Sequence, residues 1–194
     1  MNISWYEREQ LLAEITKKLE YAEVILDIGC GIRPQELIKP KVHICCEPFG
    51  QYIDYLQKEV EKTALGNYII IKAKWQEAVE IFPSKSVDSI FLLDVIEHLN
   101  KEVGIKLLKP TEDIARRQIV IFTTLGFMPQ EHPDQKDAWG LDGGVWQTHR
   151  SGWWPEDFDE QWDIFGCRDF HTHDNMANQL KVPMGAFWAI KTYR

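Results

Sequence analysis

Asp27-Ile28-Gly29-Cys30-Gly31 closes a short apolar run, and Glu47 follows 20 residues after Asp27, at the end of a second such run. Glycines directly after a buried strand let the backbone turn tightly and approach a ligand, while the amides opening the next segment stay free for an anionic group. A carboxylate at the end of the neighbouring strand can accept both hydroxyls of a ribose. Together they predict a nucleotide-type ligand at the carboxyl edge of a parallel sheet. The plain alternative is a tight turn at Gly29 to Gly31 and a solvated Glu47. A dinucleotide loop wants a third glycine where this chain has Pro34, and no G-x-x-x-x-G-K-[ST] occurs. The loop therefore favours a ligand without a phosphate chain.

The elements that must position these residues are short apolar runs alternating with helical spacings. Val24 to Ile28, Val42 to Cys46, Tyr68 to Ile71, Val87 to Leu93 (interrupted at Asp88-Ser89) and Gln118 to Thr124 read as buried strands. Ile53, Leu56 and Val60 recur at helical spacing before a Gly66-Asn67 stop. Val103, Leu107 and Ile114 mark a further helix, which Pro110 must kink or divide because proline lacks the amide donor. Ser4 with Glu7 forms a capping box, and Leu12, Ile15 and Leu19 follow, predicting a helix over residues 4–21. The alternation across residues 24–124 predicts an α/β, doubly wound parallel sheet with helices on both faces. Residues 125–154 carry glycines, prolines and 4 tryptophans without periodicity, which suggests a binding loop or lid. Pro155 to Gln161 reads as a short helix, and Trp162 to Arg168 and Ala186 to Thr192 are the last of seven strands. A chain of 194 residues fits a single domain, with an N-terminal helix within residues 1–22.

Composition narrows the partners. With 30 acidic against 22 basic residues the formal charge is −8, which disfavours nucleic acid and anionic membrane surfaces. The 4 cysteines form no C-x-x-C, so neither a disulfide framework nor a zinc site is expected, and a reducing, cytoplasmic setting fits. The first residues carry no leader pattern, and no apolar run approaches the ~20 residues of a membrane helix.

Val24-Ile25-Leu26-Asp27-Ile28-Gly29-Cys30-Gly31 resembles the first motif of class I S-adenosylmethionine-dependent methyltransferases. Ile44-Cys45-Cys46-Glu47-Pro48 is similar to their ribose-binding strand end, and the run from Ser86 to Leu99, with Asp94 at a strand end and Glu97-His98-Leu99 opening a helix, to their fourth-strand motif. The resemblance implies a Rossmann-like sheet of seven strands with the last one antiparallel, and S-adenosyl-L-methionine as cofactor. It implies that Asp27, Gly29, Cys30 and Gly31 surround the methionine part, Glu47 the ribose, and Phe49 or Trp75 the adenine faces, with Asp94 and Val95 on the methionyl side. Many family members place an acidic residue after the third strand, where this chain has Lys72-Ala73-Lys74-Trp75-Gln76. Adenine would then be met by backbone amides, Gln76 or stacking on Trp75. The sulfonium carries its own activated methyl, so the chemistry requires no metal.

The family's acceptor site lies under the N-terminal helix and the insert after the fifth strand, here residues 1–20 and 125–154. Thr124 to Glu131 and His149 to Phe158 resemble small bacterial methyltransferases found with cell-surface polysaccharide genes. The expected reaction is methylation of a small-molecule or glycan hydroxyl. The alternatives are methylation of a small amine, a nucleotide-dependent oxidoreductase, or a non-catalytic cofactor-binding module. Trp139, Trp146, Trp153 and Trp154 offer platforms for a sugar or aromatic ring, or else pack the insert. Trp5 and Tyr6 either close the cleft or belong to the core. His149 and His98 are the candidate bases, against structural hydrogen bonding. Arg150 and Arg33 would hold an acidic acceptor, or form surface ion pairs. His171 and His173 beside Asp174 read as a polar turn rather than metal ligands.

Overall fold

The computed structural model describes residues 1–63 and 67–193. The elements are β1 (Asn2–Trp5), α1 (Arg8–Thr16), β2 (Val24–Ile28), β3 (Val42–Glu47), α2 (Gly50–Thr63), β4 (Tyr68–Lys72), α3 (Trp75–Ile81), β5 (Val87–Leu93), α4 (Lys101–Ile114), β6 (Ala115–Thr124), α5 (Gly144–Gln147), β7 (Trp162–His173) and β8 (Gln179–Thr192). They build an eight-stranded sheet in the order β1-β7-β8-β6-β5-β2-β3-β4. β2 is parallel to β3 and β5, and β3 to β4, whereas β7 and β8 run antiparallel. This is the expected Rossmann-like α/β sheet with one strand more than the seven predicted.

The added strand is β1, where a helix was expected. Asn2 to Trp5 pair in parallel with Asp163 to Gly166 of β7. α1 begins only at Arg8, and its N-cap Glu7 makes no side-chain capping bond. A capping box contributes about 1 kcal/mol, less than a row of edge-strand hydrogen bonds on β7. Pro110 sits inside α4 without dividing it, and the segment after Pro155 shortens to a single 3₁₀ turn, Pro155–Asp157. α3 carries Trp75, Ala78 and Val79 at helical spacing, and the Lys74 amide, donating to Glu77 Oε2 at 2.7 Å, starts it. Of the predicted Gly66-Asn67 stop, Gly66 lies outside the described residues.

Two compact units can be distinguished. One comprises Glu20–Leu93, Ile105–Val120 and the C-terminal residues from Thr192. Ile25, Leu26 and Ile28 of β2 and Ile90, Phe91 and Leu92 of β5 are buried, and Cys45 and Leu56 pack with Cys30. The polar Asp88-Ser89 interruption of β5 is a clamp. Asp88 Oδ2 accepts from the amides of Glu23 (2.8 Å) and Val24 (3.0 Å), and Oδ1 meets Arg116 Nη2 at 3.0 Å. Ser89 is buried at 2.9 Å from Gln118 Nε2. The start of β2 is thereby fixed. β2 lies between β3 and β5, so the chain leaves it to one side and returns on the other, the switch point beyond which open α/β sheets hold ligands.

The other unit comprises Met1–Leu19, Asp94–Gly104 and Ile121–Lys191. α1 packs on β7, burying Leu11 and Ile15. The core is aromatic: the Phe158 ring lies 5.2 Å from Trp162, 5.8 Å from Phe187 and 5.9 Å from Trp153. Among the described residues, no helix is long and apolar enough to cross a membrane.

Candidate functional site

In the first unit, the turn after β2 requires its glycines. Gly29 and Gly31 have φ of +71° and +57°, a left-handed conformation in which a Cβ would meet its own backbone. The Gly29 amide donates to Cys46 O at 2.7 Å, tying the turn to β3. Glu47, at the end of β3, accepts the Gly31 amide at Oε2 (3.0 Å) and the Phe49 amide at Oε1 (2.8 Å). Glu47 is 4% exposed. Burial pushes its carboxyl up to about 7, against the downward pull of the two amides. Each carboxylate oxygen accepts more than one donor, so Glu47 retains capacity for the two hydroxyls of a vicinal diol.

The neighbouring predicted residues divide into structural and accessible ones. Asp27 Oδ2 accepts the Gln35 amide at 2.7 Å and lies 3.3 Å from His43 Nε2, so this buried carboxylate braces the loop. Cys30 is buried; a bond with Cys45, then burial, raises its thiol well above the usual value. Its side chain belongs to the core, leaving only its backbone to a ligand. Phe49 is half-buried, edge-on to Tyr52 at 4.9 Å. Half-buried Trp75 and exposed Gln76 open α3, where Ala73 N donates to Glu47 O at 3.2 Å.

In the second unit, the chain beyond β5 passes through Asp94, whose φ of +52° is left-handed for a non-glycine residue. Such outliers persist where the surroundings hold them; here the Asp94 amide donates to Phe122 O at 3.0 Å. Val95 follows, half-buried, and then Glu97 and His98 enter on a 3₁₀ turn, Ile96–His98, rather than on the helix predicted for them. The Arg150 and Ser151 amides donate to Glu97 O at 2.7 and 3.1 Å, and Ser151 Oγ to Ile96 O at 3.2 Å. These bonds bring His149 beside His98, with ring centroids 4.9 Å apart.

The two imidazoles are oriented alike. His98 Nδ1 lies 3.2 Å from Thr148 O, and His149 Nδ1 lies 2.6 Å from Met128 O. A carbonyl only accepts, so each Nδ1 carries the proton and each Nε2 of the neutral ring holds a lone pair. Burial lowers His98 to about 3, with His149 the next contributor, and burial also lowers His149. Both rings are neutral near physiological pH.

Glu97, fully buried, completes the cluster, and sequence reasoning did not single it out. Neither of its carboxylate oxygens has a hydrogen-bond partner among the described residues. Thr123 and the Asp94 carboxyl stand close beside it, each near enough to act on its titration. Burial, then the Asp94 charge, raises its carboxyl well above the usual range. One ligand atom from each of Glu97, His98 and His149 lies within 4.8 Å of the others. The available signal was Asp94-Val95-Ile96-Glu97-His98, two carboxylates and an imidazole directly after a buried strand.

Several expected acceptor contacts belong to the scaffold instead. Trp153 is fully buried: its Nε1 donates to Ser151 Oγ at 3.0 Å, Lys101 Nζ lies 4.0 Å from its ring centre, and a Cβ on Gly104 would come within 2.5 Å of it. It is a core anchor, not a platform. Arg150 is committed too, donating from Nη1 to His98 O (2.6 Å) and from Nη2 to Val145 O (2.8 Å). Trp5 covers Gly166 and lies 4.1 Å under the Arg168 guanidinium, and Tyr6 stacks near Phe165. Trp146 and Trp154 remain exposed, and Trp139 is half-buried. Asp174 accepts the Met176 and Asn178 amides at 2.9 and 2.8 Å, closing the turn after β7.

No family model matches the chain, and no curated protein matches its sequence. Solved structures do. TehB from Haemophilus influenzae matches 93% of this chain at 17% identity and a TM-score of 0.61, and this chain spans 61% of TehB's length. A SAM dependent methyltransferase from Archaeoglobus fulgidus matches 96% of this chain and 95% of its own at 15% identity and a TM-score of 0.56. The N-terminal domain of EvdMO1, crystallised in the presence of SAH and D-fucose, matches 97% of this chain and 83% of its own at 10% identity and a TM-score of 0.58. The chain shares its fold with these proteins.

Proposed function

We propose that this chain, which has the fold of class I S-adenosylmethionine-dependent methyltransferases, is itself such an enzyme and methylates a hydroxyl of a small molecule or glycan. The observation that carries the reading is the pairing of the left-handed Gly29 and Gly31 with the buried carboxylate of Glu47. A carboxylate already holding two amides, with acceptor capacity left, suits the two hydroxyls of the cofactor's ribose. The backbone of Gly29, Cys30 and Gly31 is assigned to the methionine part, with Asp27 holding the loop. Half-buried Phe49 and Trp75, with Gln76, are assigned to adenine. When bound, the cofactor supplies an activated methyl: its carbon–sulfur bond breaks as a carbon–oxygen bond forms, and the acceptor loses its hydroxyl proton.

The acceptor hydroxyl is assigned to His149 and His98, whose neutral rings stand 4.9 Å apart and each carry a lone pair on Nε2. Exposed Trp146 is assigned to the acceptor's body. The D-fucose named with EvdMO1 supports a carbohydrate acceptor by analogy of fold. Calorimetric titration of the whole chain with S-adenosylmethionine and with a nicotinamide dinucleotide tests the first step. Binding confined to the sulfonium cofactor is expected, and binding confined to the dinucleotide would replace the reading. Transfer of labelled methyl to glycan and metabolite fractions then tests the acceptor class: label in a base-stable ether of a sugar is expected, and label only on amines would remove the hydroxyl assignment.

A further inference from the structure

We propose that Glu97, His98 and His149 form a binding site for a divalent transition cation of the zinc class. The ligand set is two imidazoles and one carboxylate, a composition that suits zinc and similar first-row ions. Three observations converge on it. The three side chains bring one ligand atom each within 4.8 Å of the others. Both imidazoles are held by an Nδ1 contact to a main-chain carbonyl, from Thr148 and Met128. That contact is the outer support that fixes ring orientation and tautomer for metal ligation, leaving Nε2 to the ion. Finally, Glu97 is fully buried, and both its oxygens lack a hydrogen-bond partner among the described residues. A buried carboxylate in that condition is costly, and a cation between it and the two Nε2 lone pairs removes the cost.

The geometry needs only small adjustments. At ligand bonds of about 2.0–2.2 Å, donors around a tetrahedral ion stand about 3.4 Å apart, so the side chains draw in by at most about 1.4 Å. Asp94 adds a second carboxylate beside Glu97, while the Arg150 guanidinium, bonded to His98 O, and His132 are the nearby basic groups. Three protein ligands leave at least one position open for an oxygen donor. On the proposed function that donor is the acceptor hydroxyl, which the cation orients and acidifies so that its proton passes to solvent water; His98 and His149 then act on it as ligands rather than as bases. Only this use rests on the methyltransferase reading; the cation site does not.

The test titrates the whole chain, first stripped by chelator, with Zn²⁺ by calorimetry and with Co²⁺ by visible absorption. Uptake of one ion per chain with a ligand-field spectrum is expected, weakened at least about tenfold in His149→Ala and in Glu97→Gln. Glu97→Gln keeps the side-chain shape, and near-ultraviolet circular dichroism reports whether either variant is folded. Absence of stoichiometric uptake by the wild-type chain, or equal affinity in folded variants, would overturn the proposal. Cofactor titration of the same samples keeps the two readings apart. Cation uptake without cofactor binding removes the methyltransferase and retains the metal site; cofactor binding without cation uptake does the reverse.

Discussion

Glu47 and Glu97 stand 50 residues apart in sequence, and both carboxylates are buried. Glu47 ends a strand and accepts the Gly31 and Phe49 amides, whereas Glu97 sits on a 3₁₀ turn and neither of its oxygens has a hydrogen-bond partner among the described residues. An amide bond to a charged group offsets about 1.5–3 kcal/mol of what burial costs, and a carboxylate left without one bears that cost in full. The difference shows two ways of keeping a buried acid in reserve. Where the chain satisfies it in part, the remaining capacity fits neutral hydroxyl donors. Where the chain leaves it bare beside two oriented lone pairs, the missing partner is positive.

The largest effect should come from the packing that holds the bare glutamate. Segment 149–153 is fastened to the turn carrying Glu97 by the Arg150 and Ser151 amides, and Trp153 anchors that segment in the core. Trp153→Ala should cost about 3–5 kcal/mol of stability, the range for emptying a large aromatic site, read from denaturant midpoints. A cost below about 1 kcal/mol would mean that the segment is held by its hydrogen bonds alone.

The next effect separates the two acids by what they bind. Glu47→Ala removes the acceptor of two hydroxyl bonds and should weaken S-adenosylmethionine binding about a hundredfold, near 3 kcal/mol. Glu97→Gln should leave that affinity within about twofold, because it changes no group assigned to the cofactor. Calorimetry on both variants decides the matter. Equal losses would make the two glutamates parts of one ligand site and would dissolve the contrast.

The two regions also differed in how far the sequence disclosed them. The Glu47 region was legible because its signals are local: a G-x-G turn after an apolar run, and a carboxylate closing the next run. The five strands from β2 to β6 were readable for the same reason. Of the Glu97 cluster, His98 and His149 were legible as candidate bases, but Glu97 and the meeting of the three were not, because His149 reaches His98 through main-chain bonds between Glu97 and residues 150 and 151. β1 was misread because Ser4 and Glu7 spell a helix start, while the strand they displace depends on the distant edge of β7. Similarly, β7 continues beyond Arg168 to His173 through shifts in its register with β8, after its apolar run has ended. Trp153 shows the limit of residue type as a signal, since a ring that suits a sugar also suits a core.

The smallest effect sharpens the account of Glu47 through its charge. Burial raises its carboxyl from an ordinary 4.5 to about 7 in the ligand-free chain. The folded chain therefore holds this proton more tightly than the unfolded one does. The contribution to stability is fully present below about 4.5 and is lost as the pH rises through about 7. Cofactor binding should respond with the opposite sign, since the ionised carboxylate is the better acceptor for ribose hydroxyls. Affinity should rise about tenfold between about pH 6 and pH 8, as the ionised fraction climbs through a midpoint near 7. Glu47→Gln removes the proton from both linkages, so this variant should lose the pH slope of affinity and the fall in stability over the same window. A slope in affinity that persists in Glu47→Gln would assign the titration to another group, and with it the role of ribose acceptor.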